Sequence, residues 1–141
     1  MITSWTAWAL LAALFAALTA IFAKVGIEGV DSDYATWLRT LIVVAVLTAI
    51  VSSRGVMFSP FDLSGRTLVF LTLSGLATGA SWLCYFRALQ LGQAAQVAPI
   101  DKLSVVIVAI FGVAFLGERL TPTNWAGIAM IATGAWLTTM R

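Results

Sequence analysis

The chain has 141 residues, of which 61% are hydrophobic and only 10% are charged, whereas a soluble domain averages about 25% charged residues. This composition predicts an integral membrane protein in contact with the lipid bilayer. The sequence has no histidine and one cysteine, which excludes an internal disulfide, a Cys/His zinc cluster and a Ser-His-Asp triad. The net charge of +2 comes from scattered residues and provides no basic patch for nucleic acid.

The uncharged segments predict five membrane-spanning helices. Asp, Glu, Lys and Arg are absent from residues 2–23, 40–53, 67–86, 103–117 and 120–140. A helix needs about 20 apolar residues to cross the bilayer, so the second and fourth segments must extend N-terminally past a charged residue. We therefore expect an all-α membrane protein of one domain, residues 1–141, with five transmembrane helices at about 4–26, 34–52, 67–90, 97–116 and 122–140.

The first helix carries no Lys or Arg before its apolar run, and that run is longer than the usual 7–15 residues of a signal peptide. We expect it to be retained. Its last turn contains Lys24, and the first turns of the second helix contain Arg39. Both side chains are candidates for a solute pathway, and snorkelling to the lipid headgroups is an equal alternative.

The turn before the second helix reads "VDSDYA" and contains two carboxylates. We expect Asp33 to be the N-cap of the second helix. A D-x-D metal site of a membrane glycosyltransferase is a weaker alternative, because a cap and a solvated turn account for both Asp31 and Asp33. The sequence therefore predicts no metal, no cofactor and no enzyme activity.

The third helix carries two neighbouring stripes. One is polar, and its members recur at spacings of four, three and four: Ser74, Thr78, Ser81 and Tyr85. The other contains a G-x-x-x-G pair followed by aromatic residues: Gly75, Gly79, Trp82 and Phe86. Thr78, Ser81, Trp82 and Tyr85 are candidates for a cavity wall, and hydrogen bonding between helices is the alternative for the hydroxyls.

The fourth helix begins in "QVAPIDKLSVVIVAI", where Asp101 and Lys102 lie at the entrance of an apolar run. An aspartate costs about 2.5–3.5 kcal/mol at mid-bilayer, whereas an anion near a helix N-terminus gains about 0.3–1 kcal/mol. We therefore expect Asp101 to face a polar cavity or a basic partner. Adjacent helical residues point about 100° apart, so Asp101 and Lys102 are not expected to pair with each other.

The fifth helix has clear boundary signals. Gly117 is expected to end the fourth helix, and Thr121 with Pro122 is expected to begin the fifth. Gly127 and Gly134 predict a groove for close helix packing, as do Gly75 and Gly79 in the third helix.

Five spans place the two termini on opposite sides of the membrane. The first and third helices then end, and the second and fourth begin, on one side, which collects Lys24, Arg39, Arg87, Asp101 and Lys102. This mostly basic vestibule would attract anionic or zwitterionic solutes. A count of all eight basic residues favours this side, and a count without those inside the helices favours the other side. The positive-inside rule therefore gives no firm orientation, and insertion in both orientations is open. An odd number of spans is also typical of one half of an inverted-repeat transporter.

Several segments resemble the EamA-type five-helix repeat of the drug/metabolite transporter superfamily: "KVGI", "LRTLIVVAVL", "FRALQLGQAAQVAPIDKLSV" and "FLGERLTPTNWAGIAMIATGAWL". The resemblance covers nearly the whole chain, and five positions match recurring family residues: Lys24, Arg39, Pro99, Glu118 and Arg119. It implies five helices per repeat, usually two inverted repeats, and transport of small metabolites through a central cavity. The single repeat is similar to the small five-helix members, whereas Asp101 and Lys102 stand where larger members are commonly apolar.

Together, residues and resemblance predict a small-molecule transporter that works by alternating access as an antiparallel homodimer in a bacterial or archaeal cytoplasmic (inner) membrane. The alternative is a non-transporting membrane subunit that assembles with a larger partner. The glycine and alanine surfaces permit either assembly.

Overall fold

The computed structural model describes residues 4–57, 59 and 62–140, and the regular elements within them are helical. Their bounds are α1 Trp5–Gly26, α2 Ser32–Ser53, α3 Gly65–Leu91, α4 Ala94–Asp101, α5 Ser104–Phe115 and α6 Pro122–Leu137. The helices α4 and α5 together form the segment predicted as the fourth helix. The all-helical class predicted from the sequence is confirmed.

Four stretches are long and apolar enough to cross a membrane: α1, α2, α3 and the combined segment Ala94–Phe115. The last helix, α6, has 16 residues and is shorter than the predicted segment 122–140. At 1.5 Å per residue it covers about 24 Å, less than a hydrocarbon core of about 30 Å. The hydroxyls of Thr138 and Thr139 donate to the carbonyls of Ala135 and Trp136 at 2.7 Å each where the helix ends. The five-span prediction is thus confirmed for four spans.

The boundary signals of α6 are confirmed. Thr121 has extended backbone angles and accepts a hydrogen bond from the Asn124 N–H, and the Asn124 side chain accepts one from the Thr121 N–H. Pro122 occupies the first helical turn, where its missing N–H is not needed. At the end of α5, Gly117 has a φ of 69°, the left-handed conformation that ends many helices.

The N-cap of α2 is Asp31, so the prediction of Asp33 was wrong. The Asp31 carboxylate accepts hydrogen bonds from the backbone N–H groups of Asp33 at 2.9 Å and Tyr34 at 3.0 Å. Because helical geometry begins at Ser32, Asp33 lies in the first turn, where its charge favours the positive helix end. The cap gives the Asp31 carboxylate a structural role.

The chain divides into two compact units, Met1–Phe22 with Leu91–Arg141 and Ala23–Gln90. In the unit of residues 23–90, the buried residues come from the last turn of α1 and the residue after it, the start of α2 and the end of α3: Ala23, Ile27, Ser32, Thr36, Phe86 and Leu89. In the other unit, α4 and α5 both contact α6, and small residues such as Ala109 and Ala135 are buried. Small side chains allow helix backbones to approach closely.

We expect Asp31→Ala to lower the free energy of unfolding by about 1 kcal/mol, because two N–H groups of α2 lose their acceptor. Detergent-unfolding titrations and amide hydrogen exchange at Asp33 and Tyr34 measure this loss. Asp31→Asn is the matched control, since asparagine caps helices about as well as aspartate. Equal losses for both variants would contradict the assignment of Asp31 as the cap.

Candidate functional site

Lys24 joins two helix ends in the unit of residues 23–90. Its ammonium donates to the backbone carbonyl of Leu89 at 2.6 Å, and Leu89 lies in the last turn of α3. The carbonyls at a helix C-terminus lack intrahelical partners and carry partial negative charge, so a cation is favoured there. Lys24 therefore reaches across to α3, which favours a role within the protein over snorkelling to the headgroups.

A pocket of about 450 Å³ opens at this contact. Its lining residues come from the end of α1, the turn that follows and the end of α3: Lys24, Val25, Ile27, Glu28, Gly29 and Gln90. The Gln90 side-chain amide donates to the Val30 carbonyl at 2.6 Å and ties α3 to the turn before α2. The pocket thus combines one cation, one carboxylate and one amide within an apolar frame.

Glu28 and Gln90 were not predicted as site residues. Both lie within a few residues of a predicted helix end on the side where Lys24 was placed. That proximity was the available signal, but it could not show that the two side chains line the same pocket as Lys24.

Arg39 stacks on two aromatic rings of α3. Its guanidinium carbon lies 4.1 Å from the centroid of the Trp82 ring and 5.4 Å from that of Phe86. A cation over an aromatic face within about 6 Å is attracted by the ring quadrupole. The structure therefore brings together Arg39 and Trp82, two of the predicted pathway residues, on the glycine and aromatic stripe of α3.

The hydroxyl stripe of α3 differs, because the hydrogen bond described for it lies within α3 itself. The Thr78 hydroxyl donates to the Ser74 carbonyl of its own helix at 2.9 Å, as threonines in apolar helices often do. Ser81 is exposed, and Tyr85 is half-buried. Their role as a cavity wall stays a prediction.

The same stripe pattern occurs on α2, where sequence reasoning missed it. Ser32 and Thr36 are buried, and the Thr36 hydroxyl donates to the Ser32 carbonyl at 2.8 Å. The Thr40 hydroxyl donates to the Thr36 carbonyl at 2.7 Å. The spacing of four residues was the signal available in the sequence. The Thr36 and Thr40 hydroxyls thus donate their hydrogen bonds to carbonyls of their own helix. Because these bonds need no partner on another helix, this polar face of α2 can be buried.

Asp101 and Lys102 lie where the fourth predicted helix is interrupted. Asp101 is the last residue of α4, and α5 starts at Ser104. The Lys102 and Leu103 N–H groups donate to the Pro99 and Ile100 carbonyls at 3.1 and 2.9 Å, the three-residue spacing of a 3₁₀ turn. Pro99 has no N–H for the preceding turn, which weakens the helix ladder there.

The two side chains of this turn form an ion pair, so the prediction that they would not pair was wrong. The Lys102 ammonium lies 3.0 Å from a carboxylate oxygen of Asp101. That prediction assumed a regular α-helix, in which adjacent side chains diverge by about 100°. The tighter turn and the long lysine side chain let neighbouring groups meet. The role of both residues in a solute pathway stays a prediction.

The four glycines predicted to pack helices have open surroundings. A Cβ added at Gly75, Gly79, Gly127 or Gly134 would meet nothing within 4 Å in the part of the chain that the structure describes. Within its own unit, no described side chain fills the space beside any of these glycines. Their role in helix packing stays a prediction that concerns a further chain.

The long apolar helices define an integral membrane protein. The model of the EamA-like transporter family matches residues 3–140, so the chain belongs to this family. It is 61% identical over 137 residues to a protein of Sinorhizobium sp. described as an "Uncharacterized transporter in cobO 3'region", and the match covers 97% of each chain. No solved structure matches the chain. The resemblance inferred from the sequence is confirmed, and the class is a membrane transporter.

We expect the contact between Arg39 and Trp82 to contribute about 0.5–2 kcal/mol to the free energy of unfolding. A double-mutant cycle of Arg39→Gln and Trp82→Leu in mixed-detergent unfolding titrations isolates this coupling. Arg66→Gln with Phe70→Leu is the matched control, because that guanidinium lies 5.9 Å from its ring. A coupling no larger than that of the control pair would contradict the assignment.

Proposed function

We propose that the protein moves small anionic or zwitterionic organic solutes across the membrane. The observation that carries this proposal is the placement of Lys24 at a pocket of about 450 Å³, a volume typical of sites for small organic ligands. Lys24 is the basic side chain of the pocket lining, and Glu28 is its carboxylate. Charge-assisted hydrogen bonds from Lys24 would hold a solute carboxylate or phosphate.

The ion pair of Asp101 and Lys102 supports a zwitterionic solute. Both side chains retain exposure, and an exposed pair contributes only about 0–1 kcal/mol. Breaking this ion pair so that each side chain binds a charged group of the solute would therefore cost little free energy. Asp101 would bind the solute ammonium, and Lys102 would bind its carboxylate. Interrupted helices of this kind bind substrates and ions in other transporter folds.

We further propose that the working form is an antiparallel homodimer. At most 11% of the residues in each candidate span window are buried within the single chain, so nearly the whole helical surface is available to lipid or to another chain. The open glycine positions on α3 and α6 suit a second helix at close approach. Two copies in opposite orientations would build the inverted-repeat arrangement from one sequence and permit alternating access.

We expect Lys24→Gln to lower the initial rate of solute uptake at least about tenfold, because a charge-assisted hydrogen bond is worth about 1.5–3 kcal/mol. The assay uses proteoliposomes in an inner-membrane lipid mixture and a panel of amino acids, organic acids and nucleotide sugars. Arg54→Gln is the matched control, since Arg54 is an exposed residue at the C-terminal end of α2, whereas the Lys24 pocket adjoins the turn before the N-terminal end of α2. Lys24→Arg should restore part of the rate by keeping the cation.

The same assay separates the roles within the ion pair. Asp101→Asn should reduce uptake of solutes that carry an ammonium, and Lys102→Ala should reduce uptake of those that carry a carboxylate. Unchanged flux in both variants would remove these residues from the pathway. Flux absent for every solute, in protein that elutes as a folded species, would instead support a non-transporting subunit.

We expect labelling of single cysteines at the two termini, in a Cys84→Ser background, to reach both sides of the membrane in one preparation. An antiparallel dimer requires molecules in both orientations, and each terminus should therefore be modified partly from either side. Intact cells treated with a membrane-impermeant maleimide, before and after permeabilisation, give the two fractions. A single orientation for all molecules would overturn the antiparallel dimer and leave a parallel assembly or a larger partner.

A further inference from the structure

The end of α5 turns back on itself within the unit that contains residues 91–141. The N–H groups of Leu116 and Glu118 both donate to the Gly112 carbonyl, at 3.1 and 3.0 Å. This sharp reversal needs the positive φ of Gly117, a backbone conformation that residues other than glycine rarely adopt. Glu118 is thereby returned to the last turns of α5.

The carboxylate of Glu118 lies directly against Gly112. A Cβ added at Gly112 would lie 2.5 Å from the Oε2 atom of Glu118 and 3.2 Å from its Cδ. The first distance is shorter than real Cβ contacts, so a side chain at this position would displace the carboxylate. Gly112 therefore leaves the space that the Glu118 carboxylate occupies, and in this sense it is a positioning residue for that group.

A cleft of about 280 Å³ extends from this carboxylate along α5. It is lined by Ser104, Val105, Val108 and Ala109 of α5, by Leu120, by Ile128 of α6 and by Glu118 itself. Apart from Ser104 and Glu118 the lining side chains are hydrocarbon. No basic side chain of the described residues forms an ion pair with Glu118. The cleft thus offers one negative charge at the end of an apolar surface.

We propose that this cleft binds small organic cations that have an ammonium group and an apolar body. The ammonium would pair with the Glu118 carboxylate, and the hydrocarbon would lie along Val105, Val108 and Ile128. A volume near the lower end of known ligand sites limits the ligand to one ring or a short chain. This site would bind a group of opposite charge from the one proposed for Lys24, and its lining includes neither Lys24 nor the Asp101 and Lys102 pair, so it is independent of the proposed transport of anionic or zwitterionic solutes.

Three probes of nearly equal shape test the charge requirement: phenethylammonium, 2-phenylethanol and phenylacetate. Binding to the full chain in nanodiscs of zwitterionic lipid is measured by ligand-observed saturation-transfer NMR, with empty nanodiscs as the blank. We expect phenethylammonium to bind at least tenfold more tightly than the neutral alcohol, and phenylacetate to bind most weakly. Equal binding of the three probes, or binding no greater than that of empty nanodiscs, would overturn the proposal.

Variants then test the two residues. Glu118→Gln should remove the preference for the cation, and Gly112→Ala should weaken phenethylammonium binding severalfold although the charge is retained. Gly65→Ala is the matched control, because its added Cβ meets nothing within 4 Å. Unchanged preference in Glu118→Gln, or equal losses in Gly112→Ala and Gly65→Ala, would overturn the assignment. Size-exclusion elution and helical circular dichroism confirm that each variant is folded, and Glu118→Gln decides the question if Gly112→Ala does not fold.

Discussion

Backbone carbonyl and N–H groups within a bilayer have no water to bond with, so each must find its partner inside the protein. Most of these groups bond within a helix, but the first N–H groups and the last carbonyls of each helix have no partner there. In this protein, side chains form hydrogen bonds with several of these groups. Lys24 bonds the Leu89 carbonyl, Gln90 bonds the Val30 carbonyl, and Asp31 accepts from the first N–H groups of α2. The polar pocket of the unit of residues 23–90 lies where two of these contacts meet.

The same requirement connects structure with proposed function. A side chain that satisfies a helix end in an apolar region is a charged or polar group already held in place. A solute that supplies an equivalent group can compete for it, and desolvation makes each such contact stronger than it would be in water. The Lys24 ammonium has this character, whereas the charges of Asp101 and Lys102 are held by each other. Glu118 differs, because its backbone N–H serves the helix end while its carboxylate faces the cleft.

The sparse burial of the chain has a physical meaning of its own. Lipid tails are as apolar as leucine, so helices in a bilayer gain little from hiding hydrocarbon from one another. Close packing through small residues and specific polar contacts must supply the association instead. A Cβ added at the glycines of α3 or α6 would meet nothing within 4 Å among the described residues, and these are the faces on which we propose that a second chain packs.

The sequence by itself determined the membrane class, the helical architecture and most helix boundaries. Composition, uncharged run lengths and capping residues act over a few neighbours, so Thr121, Pro122 and Gly117 could be read directly. The sequence predicts one continuous helix past Pro99 because the apolar run 103–117 is too short to span alone, and only the backbone revealed the turn that pairs Asp101 with Lys102.

Only the tertiary structure decided which distant side chains meet. Lys24 with Leu89, and Arg39 with Trp82, are separated by dozens of residues, and their contacts depend on how each helix is rotated about its axis. Periodicity places residues on a face but does not say which neighbour that face meets. The short-range contact of Gly112 with Glu118 was hidden for a related reason, because it requires the exact path of the chain through a left-handed glycine.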